Sequence, residues 1–234
     1  MTYLTQQLVT RAYYLSGIVA RDYQFTSGTQ ISDGIFLLNE FLSIKSADTG
    51  LIPYFTRTDI RLVTGEEKYF IPNLVDLEMI VFYLSNVRFE MENRSRYNYF
   101  GISRADHVTS LPLTWHAERV KDGTDIYFYF LPDKNYPITF TGKYQLTQTA
   151  LNMDLEQFYD KYMLSYFRYG LASYLCQEDG IATPPEVAQE ILNFENKLRY
   201  VSPMDLTMRK KEYFKSGPGY DFPDVALAPV WRPS

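Results

Sequence analysis

One cysteine, Cys176, and two histidines, His107 and His116, are all the thiol and imidazole chemistry that the 234 residues hold. A lone thiol cannot close an intramolecular disulfide, and these residues stand at no spacing used by thiolate or imidazole metal sites. Basic charge is also scarce: 23 Lys and Arg face 28 Asp and Glu, for a formal charge of -5, which opposes non-specific attachment to a phosphate backbone. No run approaches the ~18 apolar residues of a membrane span. The opening MTYLTQQLVTRAYYLSG has neither the basic nor the apolar region of a secretory leader. These absences lead one to expect a soluble chain starting near Met1, in a reducing or redox-indifferent setting, without a membrane partner and without metal or cofactor.

What is plentiful is apolar and aromatic surface. Hydrophobic residues make up 46% and aromatics 17%, with 21 tyrosines, so general disorder is excluded and one large domain or two small ones are expected. Leu4, Leu8, Ala12 and Leu15 align on one face of a helix over residues 3–16 that Gly17 can end. Ile31, Ile35, Leu38 and Leu42 mark a second helix with Gly50 beyond it. From Leu51-Ile52-Pro53 onward β-branched and aromatic residues take over. Residues 58–62 and 68–71 around Thr64-Gly65-Glu66 read as a hairpin. Further strands are expected at 79–84, 87–91, 113–119, 126–131 and 138–146, with turn signals at Asn86, Asp122-Gly123 and Asp133-Lys134-Asn135. Residues 93–110, polar and rich in Arg and Tyr, are expected to be an exposed loop or a short helix.

A third helix is predicted to begin at Asp154, which has a capping-box spacing to Gln157, and to stop before Gly180. A fourth follows Thr183-Pro184-Pro185-Glu186, read as cap, first-turn proline and first-turn acid, with Val187, Ile191, Phe194 and Leu198 in register. The expected fold class is α+β: a bundle of about four helices (1–55 and 148–201) with an inserted antiparallel β-sandwich or barrel (56–147) and an extended C-terminal arm (202–234). The arm holds five of the 12 prolines and yet many large apolar side chains. Such a segment cannot pack on itself and reads as one that docks elsewhere.

Recognisable catalytic patterns are missing. His116-Ala117-Glu118 has the H-x-E of zinc deaminases but no P-C-x-x-C partner. Gly142-Lys143 lacks the rest of a phosphate-binding loop, and Cys176 has no local nucleophile signature, so a buried small residue is expected there. Carboxylates of the β segment leave a hydrolase as an alternative, decided by spatial separation. Arg94-Ser95-Arg96-Tyr97-Asn98-Tyr99 and Arg209-Lys210-Lys211-Glu212-Tyr213-Phe214-Lys215 interleave basic and aromatic residues. That pattern suits either nucleic acid or a protein interface, and the acidic total favours the protein.

The order of the pieces resembles one family. Leu8-Val9-Thr10-Arg11-Ala12, Leu15-Ser16-Gly17-Ile18, Leu37-Leu38-Asn39-Glu40-Phe41-Leu42 and Thr49-Gly50-Leu51-Ile52-Pro53 look like the opening of the head-to-tail connector (adaptor) proteins of short-tailed bacteriophages. Val63-Thr64-Gly65-Glu66-Glu67-Lys68-Tyr69-Phe70-Ile71-Pro72 is similar to the strand-turn-strand those proteins carry next. Residues 166–175 with Gly170-Leu171-Ala172, then Val187-Ala188, resemble their paired C-terminal helices. The long β segment departs from the small helical adaptors.

The resemblance implies a structural protein and not an enzyme: a dodecameric homo-oligomeric ring on the portal protein in the neck of a virion assembled in the host cytoplasm. Tail or nozzle proteins would be its other partners, and DNA only a passing channel content. Candidate portal or subunit contacts are Tyr213, Phe214, Tyr220, Phe222 and Trp231 of the arm, and Tyr162, Phe167 and Tyr169 of the third helix. The alternative is a tail-associated β-sandwich that binds a carbohydrate or receptor, with Trp115 and tyrosines as a stacking platform.

Overall fold

The computed structural model describes residues 2–201 except 22–24, 85, 86 and 102; the expected C-terminal arm lies outside the described residues. Helices α1 (Thr5–Ser16) and α2 (Gly28–Lys45) come first. Strands β1 (Thr56–Arg61), β2 (Lys68–Pro72), β3 (Leu74–Leu84), β4 (Val87–Glu90) and β5 (Glu92–Asn93) follow, then a short helix α3 (Arg96–Phe100). Strands β6 (Thr109–Ser110), β7 (Thr114–Val120), β8 (Gly123–Tyr129), β9 (Leu131–Pro132) and β10 (Pro137–Tyr144) complete the β part. Helices α4 (Lys161–Glu178) and α5 (Pro185–Val201) end the described chain.

The helices form where local chemistry permits. Gly17 takes the left-handed conformation, φ 77°, that ends α1 without a Cβ penalty. Ser27 and Gln30 form a reciprocal capping box at the start of α2, the Gln30 N–H donating to Ser27 Oγ and the Ser27 N–H to Gln30 Oε1. Helix α4 packs on α1, α2 and α5. Phe41 of α2 sits against Gly170 so closely that a Cβ there would come within 2.3 Å of its ring. Around this contact Leu8, Val9, Leu38, Leu42, Tyr166, Phe167 and Leu171 are buried, forming the helical core.

The third helix begins later than its sequence predicts. Asp154 caps a 3-10 turn, Leu155–Gln157, and also accepts from the Tyr3 N–H. Its neighbours bond to the first residues of the chain, Thr5 N–H to the Met153 carbonyl and Leu155 N–H to the Tyr3 carbonyl. That turn ends at Phe158, whose N–H donates to the Leu155 carbonyl, and α4 begins afresh at Lys161. In α5 the first helical residue is Pro185, one position after the expected Pro184.

Two four-stranded sheets, ordered β1-β10-β3-β4 and β2-β8-β7-β5, make a sandwich; β6 and β9 pair separately. Ile80 and Phe82 of β3 and Ile138 and Phe140 of β10 alternate into its core to meet Trp115, Ile126 and Phe128 from the other sheet. The β3–β4 neighbours are antiparallel, with Val81 opposite Glu90 and Leu84 opposite Val87. The hairpin expected of residues 58–71 does not form. β1 pairs with β10 and β2 with β8, so the Thr64-Gly65-Glu66 turn is a corner between sheets. Leu62, fully buried, and the bonds from Leu62 N–H to the Tyr136 carbonyl and from Gly65 N–H to the Pro132 carbonyl anchor that corner. Residues 93–110 do hold a short helix, α3, exposed along its length except at Tyr99. Tyr99 is buried with Tyr129 and Phe130 in a small cluster beside the sandwich core.

Sandwich and helices are bonded to each other. Lys143 of β10, 1% exposed, donates to the Thr49 carbonyl at 2.8 Å, and Leu146 N–H donates to Ser46 Oγ. Asn39 of α2 donates to the Thr149 carbonyl and accepts from the Thr149 N–H. Burial pulls the Lys143 pKa below the usual lysine value, against the opposing fields of Asp76, Glu78 and Asp48.

Candidate interaction surface

The eight aromatic residues singled out from sequence have different fates. Tyr213, Phe214, Tyr220, Phe222 and Trp231 lie outside the described residues. Phe167 is fully buried in the helical core, edge-on to Tyr159 with ring centroids 4.9 Å apart, and so is not a contact residue. The aromatic surplus of α4 misled here because α4 is enclosed on several sides and needs more than one apolar stripe. Tyr162 and Tyr169 are half-buried and keep some surface; Tyr169 lies 5.9 Å from Phe194 of α5.

The first basic-aromatic motif is largely consumed within the sandwich. Arg96 lies 2.7 Å from Glu118 and Arg94 lies 3.3 Å from Glu92. Tyr99 donates to Glu67 at 2.9 Å, and burial followed by the Glu67 charge pushes its pKa up. The Arg104 guanidinium stacks between the rings of Tyr99 and Tyr129, at 4.3 and 4.5 Å, and also pairs with Glu67. Of this motif Tyr97 remains strongly exposed. The second motif, residues 209–215, lies outside the described residues.

Trp115 is a core residue, 2% exposed, whose indole N–H donates to the Met91 carbonyl. It offers no platform to a sugar. His116, on a face of β7, is buried too. Its Nδ1 is 2.9 Å from the Arg94 carbonyl, which can only accept, so that nitrogen carries the proton. Its Nε2 faces Glu118 at 3.5 Å. Cys176 is fully buried, as its neighbours predict, with burial pushing its thiol pKa up, and is not poised as a nucleophile. Among the described residues no group of three or more His, Cys, Asp or Glu could hold a metal ion.

The surface that sequence reasoning did not single out is the groove between α1 and α4. It is open, about 820 Å³ in volume, and is bordered by Gln7, Thr10, Arg11 and Tyr14 of α1, by Arg21 and by Arg168 of α4. A smaller hollow adjoins it, with Arg11 and Arg168 again joined by Tyr3, Lys161 and one carboxylate, Glu156. The cations lean on aromatic rings, Arg11 over Tyr3 at 5.3 Å and Arg168 over Tyr169 at 5.2 Å. Arg168 Nε is buried and has no hydrogen-bond partner among the described residues. Such a groove suits an anionic segment of a partner. A signal was present in the sequence: residues 1–21 contain Arg11 and Arg21 and no Asp or Glu.

Neither a protein-family model nor a curated protein matches this chain.

Proposed function

We propose that this chain is a structural virion protein, a head-to-tail adaptor. In this reading it forms a dodecameric ring on the portal, joins the packaged capsid to the tail and lines the DNA exit channel. The observation that carries the reading is the order of parts. Two helices, a β-sandwich and two more helices follow one another, and the first and last pairs close on a common core around Phe41 and Gly170. That order matches the motif order of the connector family, and the sandwich is an insertion into it. A surface that presents Leu192, Tyr200 and Val201 on α5, all well exposed, supports a role in contacts with other chains.

The adaptor works by contact chemistry and not by turnover. An acidic ring does not retain passing DNA, since like-charged surface repels a phosphate backbone within a Debye length, ~8 Å at physiological salt. Among the described residues no helix is long and apolar enough to cross a membrane. The test is incorporation: the tagged full chain is expected in purified particles at the head–tail junction and in negative-stain rings with the portal. Particles that lack it, or a portal mixture in which it stays an unassociated monomer, would remove the reading.

A further inference from the structure

Charge in the helical body is segregated along α4. Residues 169–196 contain no Lys or Arg but hold Glu178, Asp179, Glu186, Glu190 and Glu195. Glu195 is taken by Lys45 at 2.7 Å, while Glu178, Asp179 and Glu186 are exposed and form no ion pair among the described residues. Glu178 and Asp179 also end a helix that has no basic residue in its last turn, the end where negative charge is unfavourable. The field there reaches the neighbouring helix, because Asp33 and Asp179, after burial itself, push up the Tyr13 pKa. Midway along α4, the groove bordered by Arg11, Arg21 and Arg168 likewise shows no ion pair among the described residues.

Within one copy Arg168 stands apart from the acids that end α4. Arg168 and Glu178 are ten residues apart on one helix, roughly 15 Å along its axis, beyond the ~8 Å Debye length. Nor do α1 and α4 bring them together, for the two helices run side by side in the same sense. Tyr3 and Lys161 border the hollow at one end, and Cys176 Sγ meets the Ser16 carbonyl at 3.7 Å towards the other.

We propose that the two surfaces are halves of one contact between copies of this chain: the α1–α4 groove of one copy receives the acidic α4–α5 corner of the next. The groove offers the guanidinium groups of Arg11 and Arg168, and the corner offers carboxylates that form no ion pair among the described residues. The contact is heterologous, with different patches on the two partners, which is the geometry that generates rings when the rotation closes. It rests on the adaptor reading for its closure into a ring, and it supplies that reading with a named interface.

The test uses the full chain and two charge-reversed variants, Arg11→Glu/Arg168→Glu and Glu178→Lys/Asp179→Lys, followed by sedimentation velocity and mass photometry at low and high salt. Wild type is expected to self-associate at low salt and to weaken as salt rises. Each variant alone is expected to lose affinity by at least about tenfold per contact, because it presents like charges to itself. Their equimolar mixture should assemble again as an alternating oligomer, since each groove then meets a corner of opposite sign. Circular dichroism and an unchanged Tm establish folding, and the milder Arg11→Gln/Arg168→Gln variant replaces the first pair if that fails.

A wild type that stays monomeric up to millimolar concentration at low salt overturns the contact, as do variants that assemble like wild type or a mixture that stays dissociated. Binding of a duplex DNA fragment that Arg11→Glu/Arg168→Glu abolishes, without self-association, also overturns it and assigns the groove to phosphates. The two readings fail separately. Rings on the portal that ignore the charge reversals remove only the contact, whereas rescued self-association of a chain absent from virions removes only the adaptor.

Discussion

In the sandwich, Lys68, Arg94, Arg96 and Arg104 each lie within ion-pair distance of a carboxylate. In the helical body Lys45 and Arg199 do so, while Arg11, Arg21 and Arg168 border one groove and the unpaired acids gather at the far end of α4. Exposed ion pairs add little stability, on the order of 0–1 kcal/mol each, so the contrast is not about which region holds together better. It concerns what each surface has left over. The sandwich spends Arg94, Arg96 and Arg104 on internal pairs, leaves Arg57, Arg61 and Arg88 exposed without an ion pair among the described residues, and buries its notable aromatics, Trp115 and Tyr99. The helical body carries Arg11, Arg21 and Arg168 along one groove and Glu178, Asp179 and Glu186 at the α4–α5 corner, none of them in an ion pair among the described residues.

The comparison is broken most forcefully from inside the helical core. Phe167→Ala is expected to cost about 3–5 kcal/mol by transfer and cavity terms. Because Lys143, Ser46 and Asn39 bond the two regions together, the loss should appear equally in helix circular dichroism and in the emission of Trp115 in urea denaturation. If only the helical signal moves, the regions unfold separately. If stability is unchanged and assembly is lost, Phe167 is a contact residue after all.

Glycines sharpen the comparison next. A Cβ on Gly142 of β10 would lie 2.4 Å from the Asp76 carbonyl oxygen, and one on Gly34 of α2 would lie 2.4 Å from Val9 Cγ1. A valine methyl can turn away, but a strand backbone held in its ladder cannot. Gly142→Ala is therefore expected to cost about 2–3 kcal/mol and Gly34→Ala about 1 kcal/mol, as read by Tm shifts of the paired variants.

Alkaline pH separates the regions by burial. Burial raises the pKa of Tyr159, in the helical core, from 10.0 to about 12, and its hydroxyl donates to the Thr147 carbonyl. A raised folded-state pKa means that the native state holds its proton longer. Its stabilisation is thus full below pH 10 and is lost as pH rises through about 12. The loss is on the order of 2–3 kcal/mol, and Tyr159→Phe should flatten that part of the stability curve in chemical denaturation. Tyr136 of the sandwich also rises to about 12, chiefly through its bond to Asp133, but that bond is solvent-exposed and Tyr136→Phe should change the curve little.

The smallest effects are expected at the two residues that attract chemical suspicion. His116→Ala removes one hydrogen bond to the Arg94 carbonyl, about 1 kcal/mol, and Cys176→Ala leaves a small void in the helical core costing about 1 kcal/mol or less. Neither should alter assembly, measured by incorporation into particles. A folded variant of either that is incorporated but not infectious would point to chemistry in this chain.

Local signals were legible where a short stretch of chain decides the outcome. Gly17 ends α1 through its own positive φ, Ser27 and Gln30 cap α2 from three residues apart, and Val187 and Leu198 bury the same face of α5. Turn chemistry at Thr64-Gly65-Glu66 was equally visible, but a turn does not say which strands its arms will join. Asp154 had a sound cap spacing, but the turn it caps is a single 3-10 turn and α4 begins only at Lys161. Among the candidate contact residues, Phe167 was indistinguishable by type from Tyr162 and Tyr169, since burial depends on what stands opposite.

The sequence by itself determined the class of the molecule: apolar spacing, caps and β-branched runs act within a few residues and specify helices, then strands, then helices, whatever their partners. Only the tertiary structure decided that β1 and β2 part to different sheets, that Trp115 and Phe167 lie inside, and that Arg11 meets Arg168. Those facts depend on groups brought together from 86 to 157 positions apart, as at Thr56–Gly142 and Arg11–Arg168, where packing and pairing compete across the whole chain and no local pattern records the winner.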